Sequence, residues 1–195
     1  MYRTAVASTD IREYLLLSMF MTAVTAVAAQ VSFHVWFTPV PVTLQVLAVI
    51  LSGLALGSKW GAISQVQYLA LGAAGAPVFA DWTGGPAAFV GPRGGYLIGF
   101  VAGAYVAGWA FERLRKTNFA AWVGGISGIA AIYLPGALWL AVWLTVTTSY
   151  PFRACIGSAV ALGIVPFIGV DIIKAAAASA LVGKLSKPVC DVRLR

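Results

Sequence analysis

"TLQVLAVILSGLALGSKWGAISQVQYLALGAAG", Thr43 to Gly75, holds two apolar runs parted by Gly57-Ser58-Lys59-Trp60. How this stretch is read sets the number of membrane crossings. A helical span needs about 20 apolar residues to cross roughly 30 Å of hydrocarbon. The runs Thr43–Leu56 and Gly61–Gly75 are shorter, and they read as two spans or as a tight helical hairpin. Four further runs surround them: Tyr14–Val31, Gly94–Phe111, Phe119–Thr147 and Ile164–Leu185. They are too long for barrel strands and lack barrel alternation. The expectation is an all-α, polytopic membrane protein: a six-transmembrane-helix bundle forming one integral membrane domain over residues 1–195. Its outer loops fall near 32–42, 76–93 and 148–163.

Composition agrees. Of the 195 residues, 61% are hydrophobic and 10% charged, and the mean hydropathy is +0.90. A soluble domain carries roughly 25% charged residues, so a lipid bilayer must solvate much of this surface. The net charge of +7 is a topology signal and not a nucleic-acid footprint. With both termini cytoplasmic, Arg3, Arg12, Lys59, Arg113, Arg115, Lys116, Lys184, Lys187, Arg193 and Arg195 all fall inside. Arg93 and Arg153 fall outside, and Lys174 lies within the last span. Such Lys/Arg bias orients a membrane protein. A multi-pass protein of a prokaryotic cell membrane is expected.

Tyr14–Gln30 also has the outline of a signal peptide, with Ala26-Val27-Ala28 at the cleavage-like position. Its length suits a retained membrane helix, with more spans following. Cys155 maps outside and Cys190 inside, so they cannot pair within one chain. No soluble domain interrupts the spans, and no G-x-x-x-x-G-K-[ST] loop is present. Any ATP hydrolysis belongs to another chain.

Small residues recur every four positions at Gly53, Gly57 and Gly61, at Gly95, Gly99, Gly103 and Ala107, and at Ser18, Thr22 and Ala26. At helical spacing each set lines one face and lets two backbones approach closely. Internal packing and docking of a separate membrane subunit both fit, and the first helix is the better docking candidate.

Polar residues on the outer side are few. Pro39 and Pro41 force extended backbone in the first outer loop, which also carries Phe33, Trp36 and Phe37. The second, "FADWTGGPAAFVGPRGGY" (Phe79 to Tyr96), holds Asp81 and Arg93 among glycines and prolines. Irregular backbone at membrane depth is tolerated where it lines a cavity. Near the outer end of the last span, Asp171 and Lys174 are three apart and share a helix face. Intramembrane charges usually face a bundle interior or a cavity. An ion pair holding helices together and a ligand pocket are both consistent with this pair. A pocket that also received Arg93 would suit a small, partly apolar acid, since an Arg fork binds a carboxylate in bidentate fashion and an Asp accepts from N–H groups.

"PVPVTLQ" (Pro39 to Gln45), "LSGLALGSKWG" (Leu51 to Gly61), "GAPVFADWTGG" (Gly75 to Gly85), "GPRGGYLIGF" (Gly91 to Phe100) and "DIIK" (Asp171 to Lys174) together resemble the BioY family, the biotin-binding S components of energy-coupling factor (ECF) vitamin transporters. The resemblance implies a six-helix bundle that binds biotin near the extracellular face beneath a lid formed by the first outer loop. It implies association with a transmembrane coupling subunit and two ATPase subunits, no catalytic activity in this chain, and no cofactor beyond biotin as transported ligand. Asp171 and Lys174 match the family's D-x-x-K pair, and Arg93 falls in its GP-x-GG segment. Arg93, with Lys174, is assigned to the valerate carboxylate, and Asp171 to the ureido N–H groups. Trp36, Phe37, Pro41, Trp82 and Tyr96 are candidate walls, and Gln45 a polar contact. Asp81 is a further candidate, although it stands where the family pattern favours a neutral polar residue such as Asn. Ser18, Thr22 and Ala26 occupy the family's docking face.

Two other readings stand beside this one. An S component or proton-coupled carrier for another small carboxylated vitamin would use the same charges, with Asp171 as a relay. The rhomboid-like "GISG" (Gly125 to Gly128) makes Ser127 a nucleophile for an intramembrane protease. That chemistry requires a nearby base, and the sole histidine is His34.

Overall fold

Lipid offers no partners to backbone N–H and C=O groups, so apolar runs of this length satisfy them internally as helices. The computed structural model describes residues 11–115, 117 and 119–191, with side chains described as far as 183. The charges expected inside at Arg3, Lys116, Arg193 and Arg195 lie outside the described residues, as do the side chains of Lys184, Lys187 and Cys190.

The chain order is α1 (Ile11–Gln30), β1 (Ser32–Phe33), β2 (Val42–Thr43), α2 (Gln45–Ala73), a 3-10 turn (Ala80–Trp82), α3 (Ala87–Val90), α4 (Gly94–Leu114), α5 (Ala120–Thr148), α6 (Phe152–Gly163) and α7 (Val165–Asp191). Five helices among the described residues are long and apolar enough to cross a membrane: α1, α2, α4, α5 and the 165–183 part of α7.

Helix α2 is not straight. Gly57 sits at φ 82, ψ 175, a region essentially restricted to glycine. The two arms fold back on each other from that point. Gln45 Nε2 donates to the Tyr68 hydroxyl at 2.7 Å, and Gln65 Nε2 donates to Ser52 Oγ at 3.1 Å. A straight helix would hold residues 45 and 68 about 34 Å apart at 1.5 Å per residue. The Thr43–Gly75 stretch is therefore a tight helical hairpin.

Helix α4 packs between this hairpin and α5, and the stripe of small residues explains how closely. A Cβ on Gly99 would stand 2.8 Å from the Ile132 carbonyl, and one on Gly53 3.0 Å from the Ala104 carbonyl carbon. Both stripes serve internal packing.

The small-residue face of α1, expected to dock a partner through Ser18, Thr22 and Ala26, packs its two hydroxyls within the chain. Ser18 is 0% exposed. Thr22 Oγ1 lies 2.8 Å from the Ser64 carbonyl and 3.0 Å from Gln67 Oε1, and Gln67 Nε2 donates to Ser18 Oγ at 3.1 Å. Ala26 packs against the core. Polar hydroxyls in a membrane helix turn toward partners that hydrogen-bond them, and here those partners lie on the second arm of α2. The face that α1 leaves exposed carries Leu16, Met19, Phe20 and Val27.

One difference concerns residues 148–163, expected as a loop. Most of them form the 12-residue helix α6, beginning just after Pro151, whose fixed φ suits the entry to a helix. Cys155 on α6 is a buried free thiol.

Tyr14 stacks on Trp60 with ring centroids 5.2 Å apart, and Glu112 accepts from the Ser58 backbone N–H at 2.8 Å. The start of α1, the bend of α2 and the end of α4 thus share one end of the bundle. The two-stranded β1–β2 ribbon, which is antiparallel, lies toward the opposite end with the loops that carry the site.

Candidate functional site

Residues from four separate parts of the chain build the site. Helix α7 presents Asp171 and Lys174 one turn apart, with Lys174 Nζ 2.6 Å from Asp171 Oδ1. They are 2% and 5% exposed. So deep a charge pair persists only when its remaining hydrogen-bonding capacity is met. It is met from two directions. Lys174 Nζ donates to the Thr43 carbonyl at 2.7 Å, and the Tyr133 hydroxyl of α5 donates to Asp171 Oδ2 at 2.6 Å.

From Thr43 the network continues. Thr43 Oγ1 donates to Gln45 Oε1 at 2.9 Å, Gln45 Nε2 to the Tyr68 hydroxyl at 2.7 Å, and the Tyr68 hydroxyl to the Val78 carbonyl at 3.0 Å. The prolines before β2 explain why Thr43 is available. They keep the chain extended, so it enters α2 only after the Thr43 carbonyl has passed beside α7.

Arg93 stands at the start of α4. Its guanidinium reaches the Ala80 carbonyl at 3.3 Å, Thr83 Oγ1 at 3.4 Å and Asp81 Oδ2 at 3.4 Å. All three are long for N–H···O bonds, which centre near 2.9–3.0 Å. The guanidinium is loosely held and retains capacity for a stronger acceptor.

These groups face a cavity of about 620 Å³, counting all empty space and partly open to solvent. Of the residues singled out in the sequence, Arg93, Asp171, Lys174, Gln45, Pro41 and Tyr96 line it. Tyr96 also donates to the Gly163 carbonyl at 2.8 Å, tying α4 to the end of α6.

Four residues are placed elsewhere. Trp36 is 94% exposed and Trp82 71%, and neither lines the cavity; nor does Phe37, which meets Trp36 edge to face. Asp81 adopts φ 62, followed by Trp82 at φ 56. Asp81 then sits outside the cavity, accepting from Ser32 Oγ at 2.8 Å and lying 3.3 Å from His34 Nε2. Asp81 therefore clasps the first and second outer loops together. His34 is held at this end, while Ser127 lies two turns into α5 from the opposite end, so the base that a serine nucleophile requires is not beside it.

The sequence reading missed Tyr133, Thr43 and the aromatic walls Phe79, Phe100 and Phe167. Tyr133 had a signal. It is the one phenol in the apolar α5 segment Ala120–Thr148, and a hydroxyl in such a helix seeks a partner.

Counting donors and acceptors shows what the cavity can hold. Lys174 has spent two of its three N–H groups, and Gln45 Nε2 one of its two. Each Asp171 oxygen has accepted one hydrogen bond and can accept another. The inner end thus offers donors and acceptors side by side, and Arg93 offers a cation nearer the outer loops. Apolar rings fill the space between.

Comparison with known proteins finds similar chains. A probable biotin transporter BioY of Pyrococcus horikoshii is 40% identical over 89% of this chain and 96% of its own length. The biotin transporter BioY of Thermotoga maritima is 39% identical over 85% of this chain and 91% of its own. The crystal structure, at 2.1 Å, of the S-component for biotin from an ECF-type ABC transporter superposes with a TM-score of 0.76 at 29% identity, covering 93% of this chain and 95% of that one. The BioY family profile matches residues 3–190, and the chain belongs to the BioY family.

Proposed function

We propose that this chain is the biotin-binding S component of an ECF-type uptake transporter, capturing biotin from the outer side of a prokaryotic cell membrane. The observation that carries the reading is the convergence of Asp171, Lys174 and Arg93 on one cavity. Biotin pairs a ureido head, with two N–H donors and one carbonyl acceptor, with a carboxylate at the end of an aliphatic tail. Asp171 accepts from the ureido N–H groups, and the unspent N–H groups of Lys174 and Gln45 donate to its carbonyl. Arg93 takes the carboxylate, and Tyr96, Phe79 and Phe100 enclose the apolar middle.

In this reading the chain crosses the membrane six times, the arms of α2 counting separately. Both termini are cytoplasmic, in keeping with Lys59, Arg113 and Arg115 at the end away from the cavity. The chain has no enzymatic activity and no resident cofactor. A transmembrane coupling subunit and two ATPase subunits energise delivery.

The test is equilibrium binding of biotin to the detergent-purified protein, with biotin amide and desthiobiotin as competitors. Saturable binding near one ligand per chain, with the amide weaker than the acid, supports the assignment. No binding by folded protein removes it.

A further inference from the structure

We infer that Tyr133 is a positioning residue for ligand recognition, acting through Asp171; this rests on the biotin-binding reading above. Tyr133 is the sole contributor from α5 to the Asp171 network. Its hydroxyl and Lys174 Nζ each hold one oxygen of the same carboxylate at 2.6 Å. Lys174 lies on α7 with Asp171 and reaches the rest of the bundle through the Thr43 carbonyl. Tyr133 holds the carboxylate directly from a different helix.

Its location gives that bond weight. Tyr133 lines the ligand cavity and also an apolar groove between α5 and α6, beside Leu134, Leu138 and Val160. Tyr133 is the one residue that borders both. The groove side is lined by apolar side chains and offers no polar group to replace a lost phenolic donor. With both oxygens held, the remaining lone pairs of Asp171 keep fixed directions, and a pair of N–H donors of fixed separation finds them in place. Without Tyr133 the carboxylate turns about its side-chain bonds, and that ordering must then be supplied on binding.

The experiment is a double-mutant cycle on the detergent-purified full chain, read as the Kd for biotin and for biotin methyl ester. Tyr133→Phe keeps the ring that seals the wall and removes only the hydroxyl. It is expected to weaken both ligands by the same factor, about tenfold or more for a hydrogen bond to a charged group. In an Asp171→Asn background the same change is expected to alter the Kd less than twofold, because the two residues act as a unit. A thermal unfolding midpoint for each variant checks folding. If Tyr133→Phe misfolds, Tyr133→Trp, which also fills the wall without a phenolic donor, is carried through the same cycle.

An unchanged Kd in folded Tyr133→Phe overturns the inference. So does an equal loss in both backgrounds, which would mark Tyr133 as a merely structural wall. Wild-type protein that binds no biotin removes the functional reading and this inference with it, an outcome distinct from either.

Discussion

Gly53 and Gly61 lie back to back: a Cβ on Gly61 would stand 2.6 Å from the Gly53 Cα, although eight residues of straight helix would separate them by about 12 Å. The reversal is made at Gly57, and it brings Gln45 and Tyr68, from opposite ends of the stretch, into hydrogen-bonding contact beneath the site.

Gly57→Ala is expected to destabilise the protein by about 1–3 kcal/mol, the cost of a non-glycine residue in this backbone region. The added Cβ also meets Glu112 Oε1 at 2.5 Å. A lowered thermal midpoint in detergent checks this. Gly75→Ala, where a Cβ meets nothing within 4 Å despite a φ of 101, is expected to cost less.

Removing one member of the Asp171–Lys174 pair leaves a buried charge without its partner, a loss of about 3–5 kcal/mol. Asp171→Asn and Lys174→Gln are therefore each expected to lower stability and to weaken biotin binding tenfold or more, to a Kd that is still measurable. The double variant restores charge balance, so it is expected to regain stability without regaining the ligand. Thermal unfolding and equilibrium binding, measured on all three proteins, separate the two roles.

Arg93→Gln tests the carboxylate assignment. Biotin binding is expected to weaken tenfold or more, while biotin methyl ester binds the variant and the wild type alike. Arg93→Lys is expected to restore only part of the affinity, because an ammonium does not reproduce the planar fork. Equal losses for both ligands would remove Arg93 from the carboxylate.

Thr22→Val removes a hydroxyl that bridges α1 to the second arm of α2. Interhelical hydrogen bonds in membranes average about 0.6 kcal/mol, so a small loss of thermal stability is expected with the biotin Kd unchanged. The same substitution is expected to leave association with a coupling subunit intact, since this face is already covered by the chain itself. A pull-down against the assembled partners is the check.

Trp36→Ala and Trp82→Ala are expected to leave the equilibrium Kd within about twofold, in keeping with side chains that stand in the open. A large loss in either variant would bring that ring over the ligand and reinstate it as a wall.

Much of this protein is written locally. Apolar runs too long for strands specify membrane helices because lipid leaves the backbone no other way to satisfy itself. The i, i+3 spacing of Asp171 and Lys174 places both charges on one face whatever surrounds them, and an intramembrane pair of that kind marks a cavity or a buried bridge. The order of the Pro39–Gln45, Gly91–Phe100 and Asp171–Lys174 segments carries the family as well.

What the sequence left open depends on where one helix surface meets another. A stripe of small residues on α1 reads the same whether it faces a partner or its own bundle, and only the packed structure sets the Thr22 hydroxyl against Ser64 and Gln67. The outer aromatics read as walls by type. Yet two consecutive residues in left-handed conformation, Asp81 and Trp82, turn one acid toward His34 and one indole into the open, and no periodicity encodes that. Tyr133 and Asp171 are 38 positions apart, so their bond exists only once α5 and α7 are packed together. Composition and spacing fixed the helices and their charged face, because those are properties of a single segment. Tertiary packing chose the contents of the cavity, because that choice belongs to no one segment.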